Sequence, residues 1–206
     1  MNDPRIDAIK GWLGTGSINL FGRPFAGKDT QGEKLADMLG GKLVGGGDIL
    51  RHYPDQATLK KLLSTGELIP TDMYLKIVLP YLSRNDLAVY PFILSSVGRM
   101  DGEQEAIMQA TRETNHPIKA VVNLELNEDE VRRRFDAAQK LADRGERDDD
   151  SLDALEVRLK EFREKTVPVV DYYNKVGLLI SVDGTGSREA ITEHILETLY
   201  KKANES

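Results

Sequence analysis

The 206-residue sequence contains no cysteine, which excludes disulfides, cysteine-ligated zinc, iron–sulfur clusters and thiolate nucleophiles. It also lacks an excess of positive charge, since 28 lysines and arginines against 34 aspartates and glutamates give a net charge of −6. Such an acidic chain is a poor candidate for binding a nucleic acid polymer, which needs a broad cationic surface. No apolar run reaches the roughly 18 residues of a membrane span, and the N-terminal residues lack the apolar segment of a signal peptide. We therefore predict a cytoplasmic protein without a membrane partner.

The sequence also lacks the histidine and serine arrangements of several common active sites. The three histidines, His52, His116 and His194, are isolated in the sequence and form neither a triad nor a metal-binding spacing. No serine lies in the glycine-framed turn of a hydrolase nucleophile. These absences argue against a serine hydrolase and against a histidine metal site.

What the sequence does contain is a set of short, β-branched apolar runs separated by segments of helical periodicity. Most of these runs do not alternate with polar residues, as expected for strands buried on both faces of a parallel sheet. The pattern predicts an α/β fold of three layers, in which helices flank a five-stranded parallel sheet. The five predicted strands are Ser17–Phe21, Lys42–Val44, Pro91–Leu94, Ile118–Leu126 and Leu178–Val182.

Three predicted helices begin at residues whose side chains can cap them. Asn127, with Glu130 three residues later, has the spacing of a capping box, and Ser151 and Ser187 precede two further helices. The apolar pattern after Ser151 continues past Pro168, where we expect a bend because proline has no N–H to donate.

The chain divides into an N-terminal extension, residues 1–16, and one large domain, residues 17–206. The extension predicts a short helix with Ile6, Ile9 and Leu13 on one face. Two stretches interrupt the alternation of strands and helices in the large domain. They are a helical insert at about residues 45–75 and a short, charged segment at about residues 138–150. We interpret both as mobile inserts.

The strongest motif follows the first predicted strand and precedes a helix. Residues Gly22–Lys28 match the G-x-x-x-x-G-K core of a phosphate-binding loop, and Thr30 follows one position later than the usual hydroxyl. Backbone N–H groups of such a loop surround a polyphosphate, and the positive end of the next helix faces it. Lys28 would supply a charge at the β- and γ-phosphates, and Thr30 could ligate Mg²⁺. The fold is therefore predicted to be of the P-loop NTPase type.

Further distinctive segments follow this loop in a fixed order along the chain. They are Gly47–Arg51, Gly66–Asp72, Phe92–Arg99, Arg147–Asp150 with Arg158 eleven residues after Arg147, Thr166–Tyr173 and Val182–Thr185. Together with Gly22–Gln31, they resemble the motifs of the adenylate kinases and related nucleoside monophosphate kinases of the short-lid type. The resemblance covers nearly the whole chain from residue 17, and seven collinear matches are far more specific than any one of them.

The resemblance implies reversible transfer of the γ-phosphoryl group from ATP–Mg²⁺ to a nucleoside monophosphate, with AMP as the first acceptor. Mg²⁺ would enter with ATP near Thr30, and the short lid, at about residues 138–150, has no cysteines for a structural zinc. No covalent intermediate is needed, because positioning and electrostatics carry phosphoryl transfer. Most relatives with short lids are monomers, so we expect a monomer.

The same resemblance assigns the site residues to three groups. The catalytic residues would be Lys28, Arg99, Arg147 and Arg158. The ATP-binding residues would be Phe25, Ala26, Gly27, Lys28, Asp29, Thr30, Arg134 and Gly186. The acceptor-binding residues would be Gly46, Arg51, Glu67, Leu68, Ile69, Ser96, Val97, Gly98, Arg99, Gln104, Arg147 and Arg158.

Arginine suits this chemistry because its planar guanidinium binds phosphate oxygens through two parallel hydrogen bonds. By resemblance, Arg51 and Arg99 would hold the monophosphate, and Arg134 would flank the ATP. Arg147 and Arg158 would reach the transferring phosphoryl group when the lid closes.

Three residues near the phosphate loop depart from the family pattern. Phe25 stands where the loop has a glycine, and a positive φ there would strain a phenylalanine. Asp29 brings a carboxylate to the mouth of an anion site, where it would repel phosphate unless it turns away or caps the helix. Ser95 replaces an aspartate that in the family helps organise Mg²⁺ through water. The effect of an aspartate at position 95 therefore depends on where Asp29 points.

The acceptor side departs as well. Gly46 replaces a threonine or alanine beside the acceptor base, and Glu103–Gln104 stands where a single glutamine usually reads adenine. These departures leave two alternatives beside the AMP kinase. One is a regulatory nucleotide-binding protein with weak or lost kinase activity, and the other is a kinase for UMP or CMP.

Overall fold

Five parallel strands form the central sheet in a computed structural model that describes residues 3–54, 59, 63–141 and 151–205. The strands are β1 Ser17–Gly22, β2 Lys42–Gly45, β3 Phe92–Ser95, β4 Ile118–Glu125 and β5 Leu179–Asp183. They lie side by side in the order β2-β3-β1-β4-β5. The predicted five-stranded parallel sheet is confirmed, and each strand begins and ends within one residue of its predicted bounds.

Helices occupy the connections between the strands. The described helices are α1 Pro4–Leu13, α2 Lys28–Leu39, α3 Gly46–Arg51, α4 Thr71–Leu82, α5 Glu103–Glu113, α6 Glu128–Leu141, α7 Leu152–Glu161, α8 Val167–Lys175 and α9 Arg188–Glu205. A 3-10 turn spans Asn85–Leu87, and a π-helical turn spans Phe162–Thr166. Within the described residues, none of these helices has the length and apolar character needed to cross a membrane.

The sheet has a hydrophobic core on each face, which gives the three layers. All six residues of β1 are buried, so this strand shows no polar alternation. Ile18 and Leu20 belong to one core with residues of α1, α2 and α9, and Phe21 belongs to the other with residues of α4, α5 and α8. The predicted α/β P-loop fold is confirmed by this arrangement.

The predicted helix caps are present. Asn127 Oδ1 accepts a hydrogen bond from the Glu130 backbone N–H at 2.8 Å, and Ser151 Oγ accepts one from Ala154 at 3.1 Å. Ser187 Oγ likewise accepts one from the Ala190 backbone N–H.

The expected irregularity near Pro168 takes the form of the π-helical turn, which ends two residues before this proline. Because proline cannot donate, the hydrogen-bond ladder has to change register near it.

The N-terminal helix α1 packs on the core of the large domain rather than standing apart from it. Ile9 and Leu13 are fully buried in the same core as α9, and Ile6 packs against it. Arg5 adds an ion pair to Glu193 of α9 at 2.5 Å.

Parts of the two predicted inserts lie outside the described residues. Helix α3 begins the insert predicted at about residues 45–75, and α4 begins inside it and continues to Leu82. Helix α6 reaches the start of the predicted lid, but residues 142–150 are not among those described.

Candidate active site

A cleft opens at the carboxyl ends of β1, β2 and β3. The register places Leu20 of β1 beside Ser95 of β3, and Ser95 beside Gly45 of β2. Ligands of open parallel sheets bind at this edge. Of the residues assigned from sequence, the cleft is lined by Phe25, Lys28, Asp29, Arg51, Glu67, Leu68, Ser96, Arg99 and Arg158.

The phosphate-binding loop runs from the end of β1 to the start of α2. Gly22 and Gly27 have φ angles of 147° and 89°, which glycine adopts without strain. Gly22 is also tightly packed, because a Cβ there would lie 2.7 Å from the Leu124 carbonyl oxygen. Lys28 Nζ donates to the carbonyl oxygens of Gly22 and Arg23, both at 2.9 Å. The ammonium group is therefore held within the curve of the loop and lines the cleft.

Phe25 has a φ of 60°, so the strain expected at this position is present. The phenylalanine ring meets the Phe135 ring edge-on, with centroids 5.5 Å apart and an interplanar angle of 86°. This aromatic contact offsets part of the backbone cost. The loop here is supported by packing against α6 as well as by glycine.

Arg134 joins the loop to α6 and to the turn after β5. Its guanidinium donates to the carbonyl oxygens of Phe25 at 3.3 Å and Gly184 at 2.7 Å, and its Nε donates to Glu130. Hydrogen bonds from Arg133 and Arg134 lower the pKa of Glu130 to about 2. Arg134 thus holds two segments beside the expected ATP position.

Asp29 does not cap α2. Its Oδ1 atom accepts a hydrogen bond from Ser95 Oγ at 2.7 Å. The two unusual residues beside the expected metal position therefore contact each other across 66 positions of sequence.

The loop after β3 positions Arg99. The Glu103 carboxylate accepts hydrogen bonds from the backbone N–H groups of Arg99 and Met100 at 2.8 and 3.0 Å, and Tyr74 Oη accepts one from Gly98. Burial lowers the pKa of Arg99 and raises the pKa values of Glu103 and Tyr74 above their usual ranges. The side chains of Glu103 and Tyr74 thus fix the backbone of this loop, which carries Arg99 at the cleft.

Arg51 and Arg158 enter the cleft from different elements. Arg51 ends α3 and forms a 2.5 Å ion pair with Asp48. Arg158 lies on α7. Its Cγ packs close to Gly66, since a Cβ added to Gly66 would lie only 3.2 Å from this atom. The insert predicted at about residues 45–75 and the helix that carries Arg158 are therefore in direct contact.

Close packing explains why position 46 is a glycine. A Cβ there would lie 2.8 Å from the Ser96 carbonyl oxygen and 3.0 Å from Tyr74 Oη, so neither the threonine nor the alanine expected from the resemblance fits. Gln104 is 2% exposed and donates to Asp101, and its Oε1 has no hydrogen-bond partner among the described residues.

Several assigned residues lie outside the cleft lining. Ala26, Ile69 and Val97 are buried residues. Thr30 lies in the first turn of α2, and Gly186 lies in the turn between β5 and α9 with a φ of 95°. Arg147 lies outside the described residues.

The cleft also contains residues that sequence reasoning did not assign. They are Gly22, Pro24, Gly45, Gly47, Asp48, Leu63, Gly66, Ser95, Glu161, Phe162 and Thr166. Glu161 accepts a hydrogen bond from the Leu68 backbone N–H at 3.1 Å. It follows Arg158 by three residues on one helix, and this spacing could have revealed it.

The described residues contain no cluster of three or more histidine, cysteine, aspartate or glutamate side chains that could cage a metal ion. Asp29 and Ser95 bring a carboxylate and a hydroxyl together in the cleft, and Thr30, in the first turn of α2, carries a second hydroxyl. Such an oxygen set fits Mg²⁺, which keeps several waters and is bound in part by phosphates.

Comparison with known proteins agrees with the geometry. The sequence model of the adenylate kinase family matches residues 20–178. The chain is 34% identical to an adenylate kinase of Agrobacterium fabrum, over 88% of this chain and 96% of that protein. It is 31% identical to an adenylate kinase of Micrococcus luteus, over 88% and 89%, and 31% identical to one of Methanosarcina barkeri, over 91% and 100%.

Proposed function

The chain belongs to the adenylate kinase family and is a nucleoside monophosphate kinase, and from that premise we propose that it converts ATP and AMP reversibly into two ADP. One observation carries this proposal. Lys28 of the phosphate loop and Arg51, Arg99 and Arg158 of other elements line the same cleft. Four cations around one cavity suit two anionic phosphate chains held end to end.

Each side of the cleft has a proposed task. Lys28 and the loop backbone bind the ATP phosphates, and Arg134 holds the loop beside the nucleotide. Arg51 and Arg99 bind the acceptor phosphate, and Arg158 stabilises charge on the transferring group. Mg²⁺, when bound with ATP, supplies the positive charge that offsets the β- and γ-phosphates. Thr30 is the protein hydroxyl proposed to hold it.

AMP is the proposed acceptor because of Gln104 in the first turn of α5. The buried Gln104 amide has an Oε1 without a protein partner in the described residues, and an adenine amino group could donate to it. Gly46, also assigned to the acceptor side, packs so closely against Ser96 and Tyr74 that a Cβ would not fit there.

A coupled assay of ADP formation with ATP–Mg²⁺ tests the proposal, with AMP, UMP, CMP, GMP and dAMP as acceptors in turn. We expect the highest kcat/KM with AMP. A higher kcat/KM with UMP or CMP would show that AMP is not the preferred acceptor. ATP binding without transfer to any acceptor would support the regulatory nucleotide-binding protein instead.

The role of Lys28 is tested in the same assay. Lys28→Ala should lower kcat by about 100-fold or more, because a charge aimed at the transferring phosphate is lost. Lys34→Ala is the matched control, since Lys34 lies on the same helix and pairs with Glu189 at the surface. A Lys28→Ala enzyme with near wild-type turnover would show that the loop assignment is wrong.

A further inference from the structure

Asp29 and Ser95 form an unusual pair at the mouth of the phosphate loop. Ser95 Oγ donates to Asp29 Oδ1 at 2.7 Å. Ser95 is 4% exposed at the carboxyl end of β3, whereas Asp29 is exposed in the first turn of α2. The buried serine therefore fixes the direction of an otherwise exposed carboxylate.

This carboxylate lies where the proposed function places a polyphosphate. Asp29 lines the same cleft as Lys28 and is the next residue in sequence. In the part of the chain that the structure describes, Asp29 forms no ion pair that would hold a protein cation against it. Like charges in a partly enclosed site repel one another. A metal-free polyphosphate would therefore meet repulsion at Asp29.

A divalent cation bound to the phosphates reverses the sign of this interaction. The carboxylate and hydroxyl oxygens of Asp29, Thr30 and Ser95 are donors of the kind that Mg²⁺ accepts. Mg²⁺ releases its waters reluctantly, and a carboxylate accepts hydrogen bonds from such waters. The same residue thus opposes the bare nucleotide and favours its metal complex.

On the basis of the proposed ATP-binding role of the loop, we propose that Asp29, positioned by Ser95, makes nucleotide binding depend on a divalent cation. The cleft accepts the nucleotide–cation complex and rejects the metal-free nucleotide. Asp29 is in this respect a specificity-determining residue.

The partner at position 95 has to be neutral for this arrangement. An aspartate there would put a second carboxylate within hydrogen-bonding distance of the first. Ser95→Asp alone should therefore weaken nucleotide binding. The double variant Asp29→Asn/Ser95→Asp moves the charge from α2 to β3 and should restore the dependence on a cation.

The test is an equilibrium titration of the full chain with a fluorescent ATP analogue, once in Mg²⁺ and once in EDTA. The readout is the ratio of Kd in EDTA to Kd in Mg²⁺, which does not depend on turnover. In Asp29→Asn we expect this ratio to fall about tenfold, chiefly through tighter binding in EDTA. Asp37→Asn is the matched control, because it removes the same charge from an exposed position on the same helix. It should leave the ratio unchanged.

Each outcome separates this inference from the proposed function. An unchanged ratio in Asp29→Asn, with nucleotide still bound in Mg²⁺, overturns the role of Asp29 and leaves the kinase proposal intact. Equal falls in Asp29→Asn and Asp37→Asn overturn it as well, since net charge alone would explain them. A wild-type protein that binds no nucleotide even in Mg²⁺ would overturn both.

Discussion

Phe25 gives the clearest prediction for a single residue, because its backbone adopts an angle that favours glycine. Phe25→Ala keeps a Cβ at a φ of 60°, whereas Phe25→Gly removes it. Both variants lose the contact with Phe135, so their difference isolates the backbone cost. The glycine variant should have a free energy of unfolding about 1 kcal/mol higher than the alanine variant, measured by urea denaturation.

The same pair of substitutions at Phe135 is the control. Phe135 lies inside helix α6, where alanine stabilises a helix by about 1 kcal/mol relative to glycine, so the order of the two variants should reverse. Alanine and glycine variants of equal stability at position 25 would contradict the strain that we assign to it.

The arginines should separate in their kinetic effects. Arg51→Ala should raise the KM for the acceptor about tenfold, with a smaller change in kcat, since this residue is proposed to bind the monophosphate in the ground state. Arg158→Ala should mainly lower kcat, because its proposed contact forms with the transferring group. Initial rates at varied acceptor concentration measure both constants. Equal KM increases in the two variants would contradict the separate roles proposed for Arg51 and Arg158.

At the scale of single residues, the sequence indicated what was unusual but not how the unusual residues meet. Phe25, Asp29 and Ser95 each departed from the family pattern, and the sequence indicated that a positive φ would strain Phe25 without showing that this φ is positive. The contact between Asp29 and Ser95 joins two segments 66 positions apart, and its direction depends on the side-chain rotamers in the folded site. Gly46 likewise needed the folded positions of Ser96 and Tyr74 before its cause was visible.

Helix α6 connects otherwise separate parts of the site through neighbouring arginines. Arg133 and Arg134 both pair with Glu130, but their side chains are 77% and 24% exposed. Arg134 also donates to Phe25 and Gly184. Arg134→Ala should therefore raise the Kd for ATP about tenfold, the effect of losing one charged hydrogen bond.

Arg133→Ala is a control matched in charge, helix and ion-pair partner. It should change the Kd for ATP by less than about twofold, because exposed ion pairs contribute little. Titration of both variants with a fluorescent ATP analogue makes the comparison. Equal losses would show that α6 acts through net charge rather than through its contacts with the loop.

Elements were more predictable from sequence than their contacts. Local chemistry sets the strand bounds and the caps at Asn127, Ser151 and Ser187, so these followed from neighbouring residues. The π-helical turn before Pro168 did not follow so directly. A proline predicts an irregular helix, but the form of the irregularity depends on the packing of Phe162 and Thr166, both of which line the cleft.

The strand order β2-β3-β1-β4-β5 belongs to the whole molecule and was not predicted. Apolar runs identify strands but do not say which strands are neighbours. The order places the loop after β1 between the carboxyl ends of β3 and β4, so that groups from distant segments face one cleft. The sequence motifs identify the residues of the site, but the strand order determines how these residues are arranged in space.

A substitution in helix α1 tests whether the N-terminal extension unfolds together with the rest of the protein. Ile9 is 0% exposed in the core that includes α9, so Ile9→Ala should lower the free energy of unfolding by about 2–5 kcal/mol. For a chain of this size each kcal/mol lowers the Tm by about 2–4 °C, which thermal denaturation resolves easily. Lys10→Ala, at the next, exposed position of the same helix, should change stability by less than about 0.5 kcal/mol. The kcat of Ile9→Ala at low temperature should match that of the wild type, because α1 does not line the cleft. A stability unchanged by Ile9→Ala would mean that α1 unfolds independently of the sheet that holds the site.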